Sequence, residues 1–156
     1  MPSTVRPLVS ALPAFAAASF LLNFAWEMLQ APFFAEMPDM PHWEAVLICL
    51  QATVGDVVIT LAGFAAAGLI DRRALWFERP SRRALLTYLA TGIVITMLVE
   101  WHAVATDRWK YADIMPVLPW VGVGVMPILQ WAVLPGLILV AGRRYNSGAF
   151  SEREAG

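Results

Sequence analysis

Four long apolar runs dominate the sequence and restrict what the chain can fold into. They cover approximately residues 13–34, 45–70, 84–105 and 118–141. Each is close to the roughly 20 residues that a helix needs to cross a hydrocarbon layer of about 30 Å. The chain of 156 residues is 59% hydrophobic and 15% charged, with a mean hydropathy of +0.62, whereas soluble domains are about 45–50% apolar and about 25% charged. We therefore predict an integral membrane protein, and we expect no nucleic-acid partner.

The segments between the runs are short and contain the prolines and charged residues that mark turns. Short connections favour antiparallel neighbours. The sequence thus predicts one domain over residues 1–156, an all-α antiparallel bundle of four transmembrane helices, followed by a polar tail at 143–156.

Basic residues are segregated to one side of the predicted bundle, since the opposite side has only Arg108 and Lys110. By the positive-inside rule, both termini and the middle connection are cytoplasmic, and the first and third connections face outward. We expect the protein in a cell membrane, the bacterial inner membrane. The stretch from Arg6 to "AFAAAS" also fits a signal peptide, but the apolar pattern continues through Phe34, which favours a retained first helix.

Polar side chains recur at helical spacing inside the runs. Asn23, Glu27 and Gln30 are separated by four and three residues, which places them on one helix face. The second run has a small and polar face formed by Cys49, Thr53, Asp56, Thr60 and Gly63, the third has Gly92, Thr96 and Glu100, and the fourth has Gln130. Counting 1.5 Å per residue, we expect Glu27 level with Glu100 and Asp56 level with Gln130.

A charged carboxylate at the centre of a bilayer costs at least about 2.5–3.5 kcal/mol. The three acids are therefore predicted to face the bundle interior. Glu27, Asp56 and Glu100 are the candidate catalytic residues, and the candidate substrate-binding residues are Asn23, Trp26, Gln30, Thr60, Thr96, Trp101 and Gln130. The alternative interpretation is that these groups are hydrogen-bonded contacts between helices.

The fourth run contains two prolines and two glycines close together. Pro127 and Pro135 cannot donate backbone hydrogen bonds, so a kinked helix with free carbonyls is expected. Gly122 and Gly124 would allow close helix packing.

The sequence offers little for metal or redox chemistry, and no cofactor is expected. Cys49 is the only cysteine, which excludes an intrachain disulfide and a CxxC pair. Glu100 and His102 lie two residues apart, on different helix faces, and His42 is in the other outward connection. We predict no metal site, and whether His42 and His102 meet stays open. The aromatic residues of these connections are typical of interfacial anchors.

The stretch "NFAWE", from Asn23 to Glu27, resembles the N-x-A-W-E stretch of the fungal membrane-bound type II terpene cyclases. The resemblance implies that Glu27 is the acid that starts cyclisation and that Trp26 forms a cation-stabilising wall. It covers five residues, and that family has more spans than four. As a whole, the chain looks more like the small four-span membrane proteins of bacteria.

Three functional hypotheses follow from these residues. The first is an integral membrane enzyme or binding protein for a lipophilic, isoprenoid-like molecule, acting by acid-initiated cyclisation or isomerisation. The second is a non-catalytic subunit or assembly factor of a membrane complex. The third is a small proton-coupled transporter with Asp56 and Glu27 as its relay. The expected partners are a lipophilic small molecule, membrane lipid, and either a second copy of the chain or another subunit.

Overall fold

The fold consists of four α-helices, as the sequence predicts. A computed structural model describes the backbone of residues 5–154 and the side chains of residues 12–145. The helices are α1 (Val5–Gln30), α2 (His42–Asp71), α3 (Arg82–Ala105) and α4 (Val125–Glu154), with a single 3-10 turn at Ala31–Phe33. All four are long and apolar enough to cross a membrane. The predicted all-α four-helix class is confirmed.

The two ends of the bundle are closed in different ways. At one end, called the outer end here, the α1–α2 and α3–α4 connections join through backbone hydrogen bonds from Ala35 N to Lys110 O and from Ala112 N to Phe33 O, each 2.9 Å. The α2–α3 connection lies at the opposite, inner end. This arrangement makes the helices antiparallel. Which end faces the cytoplasm stays a prediction.

An aromatic core fills the inner end. Trp76 and Phe77 of the α2–α3 connection are fully buried and pack among the rings of Phe15, Phe64 and Tyr88. The Trp76 indole donates a 3.0 Å hydrogen bond to the Phe64 carbonyl. The sequence pattern marks this connection only as a charged turn, because two buried rings between arginines leave no periodic signal.

The fourth helix differs from its prediction at both ends. It begins at Val125 and not at residue 118, because the chain turns back at 118–124, where Leu118 N donates to Val123 O and Gly122 has a φ of +70°. Pro127 thus lies in the first helical turn, where no intrahelical donor is needed, so the kink predicted from Pro127 is wrong. Pro135 is inside the helix. At the other end α4 continues through the predicted polar tail to Glu154, and residues 155–156 lie outside the described residues.

The two glycines before α4 have different roles from the predicted close packing of helices. Gly122 has open space around it and is needed for its positive φ. A Cβ on Gly124 would lie 3.0 Å from the Met115 sulfur and 3.2 Å from the Tyr111 ring. Gly124 therefore allows close packing against the outer connection and not against another helix.

Candidate functional site

A cavity of about 480 Å³ lies in the outer half of the bundle. All four helices contribute to its wall, and the polar lining residues include Glu27, Asp56, Thr96, Glu100 and Gln130. Its volume is within the range of about 300–1,000 Å³ that is usual for small-molecule sites. The structure thus brings the three predicted acids to one cavity.

The carboxyl groups of Glu27 and Asp56 form the centre of this site. Glu27 is 9% exposed and Asp56 is partly buried, because the polar stripes of α1 and α2 face each other. The two carboxyl groups interact with each other, while Glu27 accepts a hydrogen bond from Gln30 and Asp56 accepts one from Gln130. Glu100 lies farther away and interacts with this pair through its charge.

Gln130 connects α4 to the acid pair. Its amide nitrogen donates to Asn23 Oδ1 at 2.7 Å and to Asp56 Oδ2 at 2.8 Å. The Asn23 nitrogen in turn donates to the carbonyl and hydroxyl oxygens of Ser19, at 2.8 and 3.0 Å. Asn23 must therefore accept at its oxygen, which fixes the orientation of Gln130. The predicted common depth of Asp56 and Gln130 is confirmed by this contact.

Gln30 orients the other carboxyl group. The Trp26 indole donates to Gln30 Oε1 at 3.0 Å, so the Gln30 nitrogen is free to donate to Glu27 Oε1, at 2.6 Å. Trp26 does not line the cavity. It lies behind Gln30, where its hydrogen bond fixes the orientation of the Gln30 amide.

Glu100 holds the outer connection against the bundle. Its Oε2 accepts a 2.6 Å hydrogen bond from the Tyr111 hydroxyl and a 3.4 Å one from the Trp109 indole. The Tyr111 oxygen also accepts from Gly124 N at 3.0 Å, which ties the start of α4 to the end of α3. Burial, followed by the hydrogen bond to Glu100, raises the pKa of Tyr111 above its ordinary value.

Thr96 lines the cavity with an unused hydroxyl. The residue is 7% exposed, and its Oγ1 has no hydrogen-bond partner among the described residues. Buried polar atoms are nearly always hydrogen-bonded, so this hydroxyl is a candidate contact for a bound molecule.

The remaining predicted residues lie away from the cavity wall. Thr60 is buried on α2, one turn inward from Asp56, and Trp101 is 58% exposed on the outside of α3. His42 and His102 are both exposed. Among the side chains of residues 12–145, the structure places no three His, Cys, Asp or Glu closely enough to hold a metal ion.

Four residues of the site, Ser19, Phe34, Trp109 and Tyr111, were missed from the sequence. Helical spacing could have identified Ser19, since it precedes Asn23 by four residues and extends the same helix face. Trp109 and Tyr111 are typical only of interfacial aromatics, because their contact with Glu100 crosses a turn and has no periodic spacing. Phe34 and Trp109 are the aromatic residues that line the cavity.

Comparison with known proteins found no matching family, no matching curated protein and no matching solved structure.

Proposed function

We propose that the protein is an integral membrane enzyme that protonates a lipophilic, isoprenoid-like molecule, with Glu27 as the acid. The observation that carries this proposal is the pair of interacting Glu27 and Asp56 carboxyl groups on a cavity wall, each accepting a hydrogen bond from a glutamine amide. Such a pair holds an acid and a base side by side. It suits a reaction that first adds a proton to a substrate and later removes one.

The proposed reaction is an isomerisation or cyclisation without a cofactor. The Glu27 proton adds to one carbon of a double bond, whose electron pair forms the new C–H bond and leaves a cation on the neighbouring carbon. After ring closure or a shift, the cation loses a proton to the acid pair, and a double bond is restored. Phe34 and Trp109 offer π faces that stabilise the cation, a role that the NFAWE resemblance assigns to Trp26.

Access from the hydrocarbon layer is supported by the cavity lining. Ile48 and Gly55 of α2 and Val99 of α3 line the cavity and are exposed on the bundle surface. A lipophilic substrate would therefore enter between helices without crossing water. The proposed location is a bacterial inner membrane with both termini in the cytoplasm, on the distribution of arginines.

A non-catalytic subunit is the second candidate, and one observation favours it. Gln130 joins α4 to α1 through Asn23 and to α2 through Asp56, as expected of polar groups that hold membrane helices together. A proton-coupled transporter has less support, because the aromatic core fills the inner end of the bundle.

The test compares wild-type protein with Glu27→Gln and with Glu44→Gln, which removes an exposed carboxylate in the first turn of α2. Each is purified from cells grown in ordinary water and incubated in D₂O buffer with the lipids extracted from the Glu27→Gln preparation, and the lipids are then analysed by mass spectrometry. We expect the wild type and Glu44→Gln to release a deuterated isoprenoid product and Glu27→Gln to retain its precursor. Phospholipid alone in all three preparations would refute the enzyme proposal and leave the subunit hypothesis.

A further inference from the structure

We infer that the cavity binds lipophilic molecules that carry a protonated amine, in preference to neutral or anionic molecules with the same hydrocarbon chain. The inference deepens the proposed function, because it concerns the same site. It is a statement about binding and does not require catalysis.

The charges of the cavity favour a cation. Three acidic side chains line the cavity: Glu27 and Glu100 are buried, and Asp56 is partly buried. The basic residues that line it, Arg108 and Lys110, are exposed to solvent. A buried carboxylate is stabilised by a cation and destabilised by a further anion, and both effects are stronger away from water.

The free hydroxyl of Thr96 is an independent sign of a ligand that forms a hydrogen bond. It is 7% exposed, lies on the same cavity wall and has no partner within the described residues. An ammonium group with an N–H bond would donate to the Thr96 oxygen while its charge faces the carboxyl groups. A quaternary ammonium group, which has no N–H, could not.

The apolar wall fits the rest of such a molecule. Phe34 and Trp109 offer aromatic faces to a cation, and Met37 and Met40 are unbranched side chains that adapt to irregular hydrocarbon shapes. The same surroundings would stabilise the carbocation of the proposed reaction. A stable ammonium ion would then resemble the reaction intermediate and bind more tightly than a substrate.

The binding test uses four probes with one chain: N,N-dimethylfarnesylamine, farnesyltrimethylammonium, farnesol and farnesyl phosphate. Equilibrium binding is measured with radiolabelled probes on the full chain in phosphatidylcholine nanodiscs, and empty nanodiscs correct for partition into lipid. We expect the tertiary amine to bind at least about tenfold more tightly than farnesol, and farnesyl phosphate to bind most weakly. Equal affinities for amine and alcohol, or a preference for the phosphate, would overturn the inference.

Variants then assign the preference to particular groups. Glu27→Gln should remove most of the preference for the amine over farnesol. Thr96→Val should weaken tertiary-amine binding about tenfold and leave the quaternary probe unchanged, whereas Thr96→Ser, which keeps the hydroxyl, should bind as wild type. Thr87→Val is the matched control, because Thr87 is on the same helix and away from the cavity. Equal weakening of both ammonium probes in Thr96→Val would contradict the hydroxyl contact.

The outcomes separate this inference from the proposed function. Selective amine binding without deuterated product would support the inference and refute catalysis. Deuterated product from a protein that does not prefer the amine would support catalysis and refute the inference.

Discussion

The contact between Gly92 of α3 and Trp131 of α4 provides a quantitative test of the packing that holds the site together. A Cβ on Gly92 would lie 2.0, 2.1 and 2.3 Å from three carbons of the Trp131 ring, whereas carbons in contact are normally about 3.5–4.0 Å apart. The ring would have to move by roughly 1.5 Å. Trp131 is buried and packs edge-on against Tyr88, so it has little room to move.

The expected effect of Gly92→Ala is a balance of two contributions. Overpacking in a well-packed core costs about 1–3 kcal/mol, and replacing a helical glycine by alanine gains up to about 1 kcal/mol. We expect a net loss of about 1–2 kcal/mol. Because Trp131 follows Gln130, the shift should also disturb the hydrogen bonds of Gln130 to the acid pair.

The assay is reversible unfolding in mixed detergent micelles, with Gly136→Ala as the control. Gly136 lies within α4, and a Cβ on it would meet no atom of the described residues within 4 Å beyond the backbone of its own helix, so alanine there should be neutral or stabilising. The double variant Gly92→Ala with Trp131→Leu should lose less unfolding free energy than the sum of the losses of the two single variants. If Gly92→Ala is as stable as Gly136→Ala, the close approach of α3 and α4 is refuted.

Three further predictions concern the network and the ends of the bundle. Gln130→Leu removes two interhelical hydrogen bonds and should lower the unfolding free energy by about 1–3 kcal/mol, measured in the same micelles; an unchanged value would contradict those bonds. Tyr111 should stay neutral at pH values where an ordinary tyrosine, with a pKa of about 10, ionises. Because the pKa of Tyr111 is raised in the folded protein, the protein should lose stability as the pH rises above about 10. Tyr111→Phe should leave the tyrosinate absorbance below about pH 11 unchanged, since Tyr111 itself does not ionise there. Trp76→Ala should cost about 3–5 kcal/mol, whereas Trp120→Ala, at a side chain 94% exposed, should change stability by less than about 0.5 kcal/mol; equal effects would contradict the buried inner core.

Part of the candidate site could be predicted because helical spacing is regular. Asn23, Glu27 and Gln30 share one face of α1 wherever that helix lies in the bundle. The common depth of Asp56 and Gln130 follows from the rise per residue. Trp101 shows the limit of this reasoning, since it adjoins Glu100 in the sequence but points outward. Adjacent residues of a helix lie on different faces, so proximity along the chain does not place a side chain at the site.

The sequence by itself determined the four helices and the inward direction of their acids, because a hydrocarbon layer requires long apolar runs and does not tolerate exposed carboxylates. The tertiary structure alone decided which groups meet. The pairing of Glu27 with Asp56, the anchoring of Tyr111 on Glu100 and the burial of Trp76 all depend on how helices rotate and how connections fold back. Those contacts join residues far apart in the chain, and no local pattern specifies them.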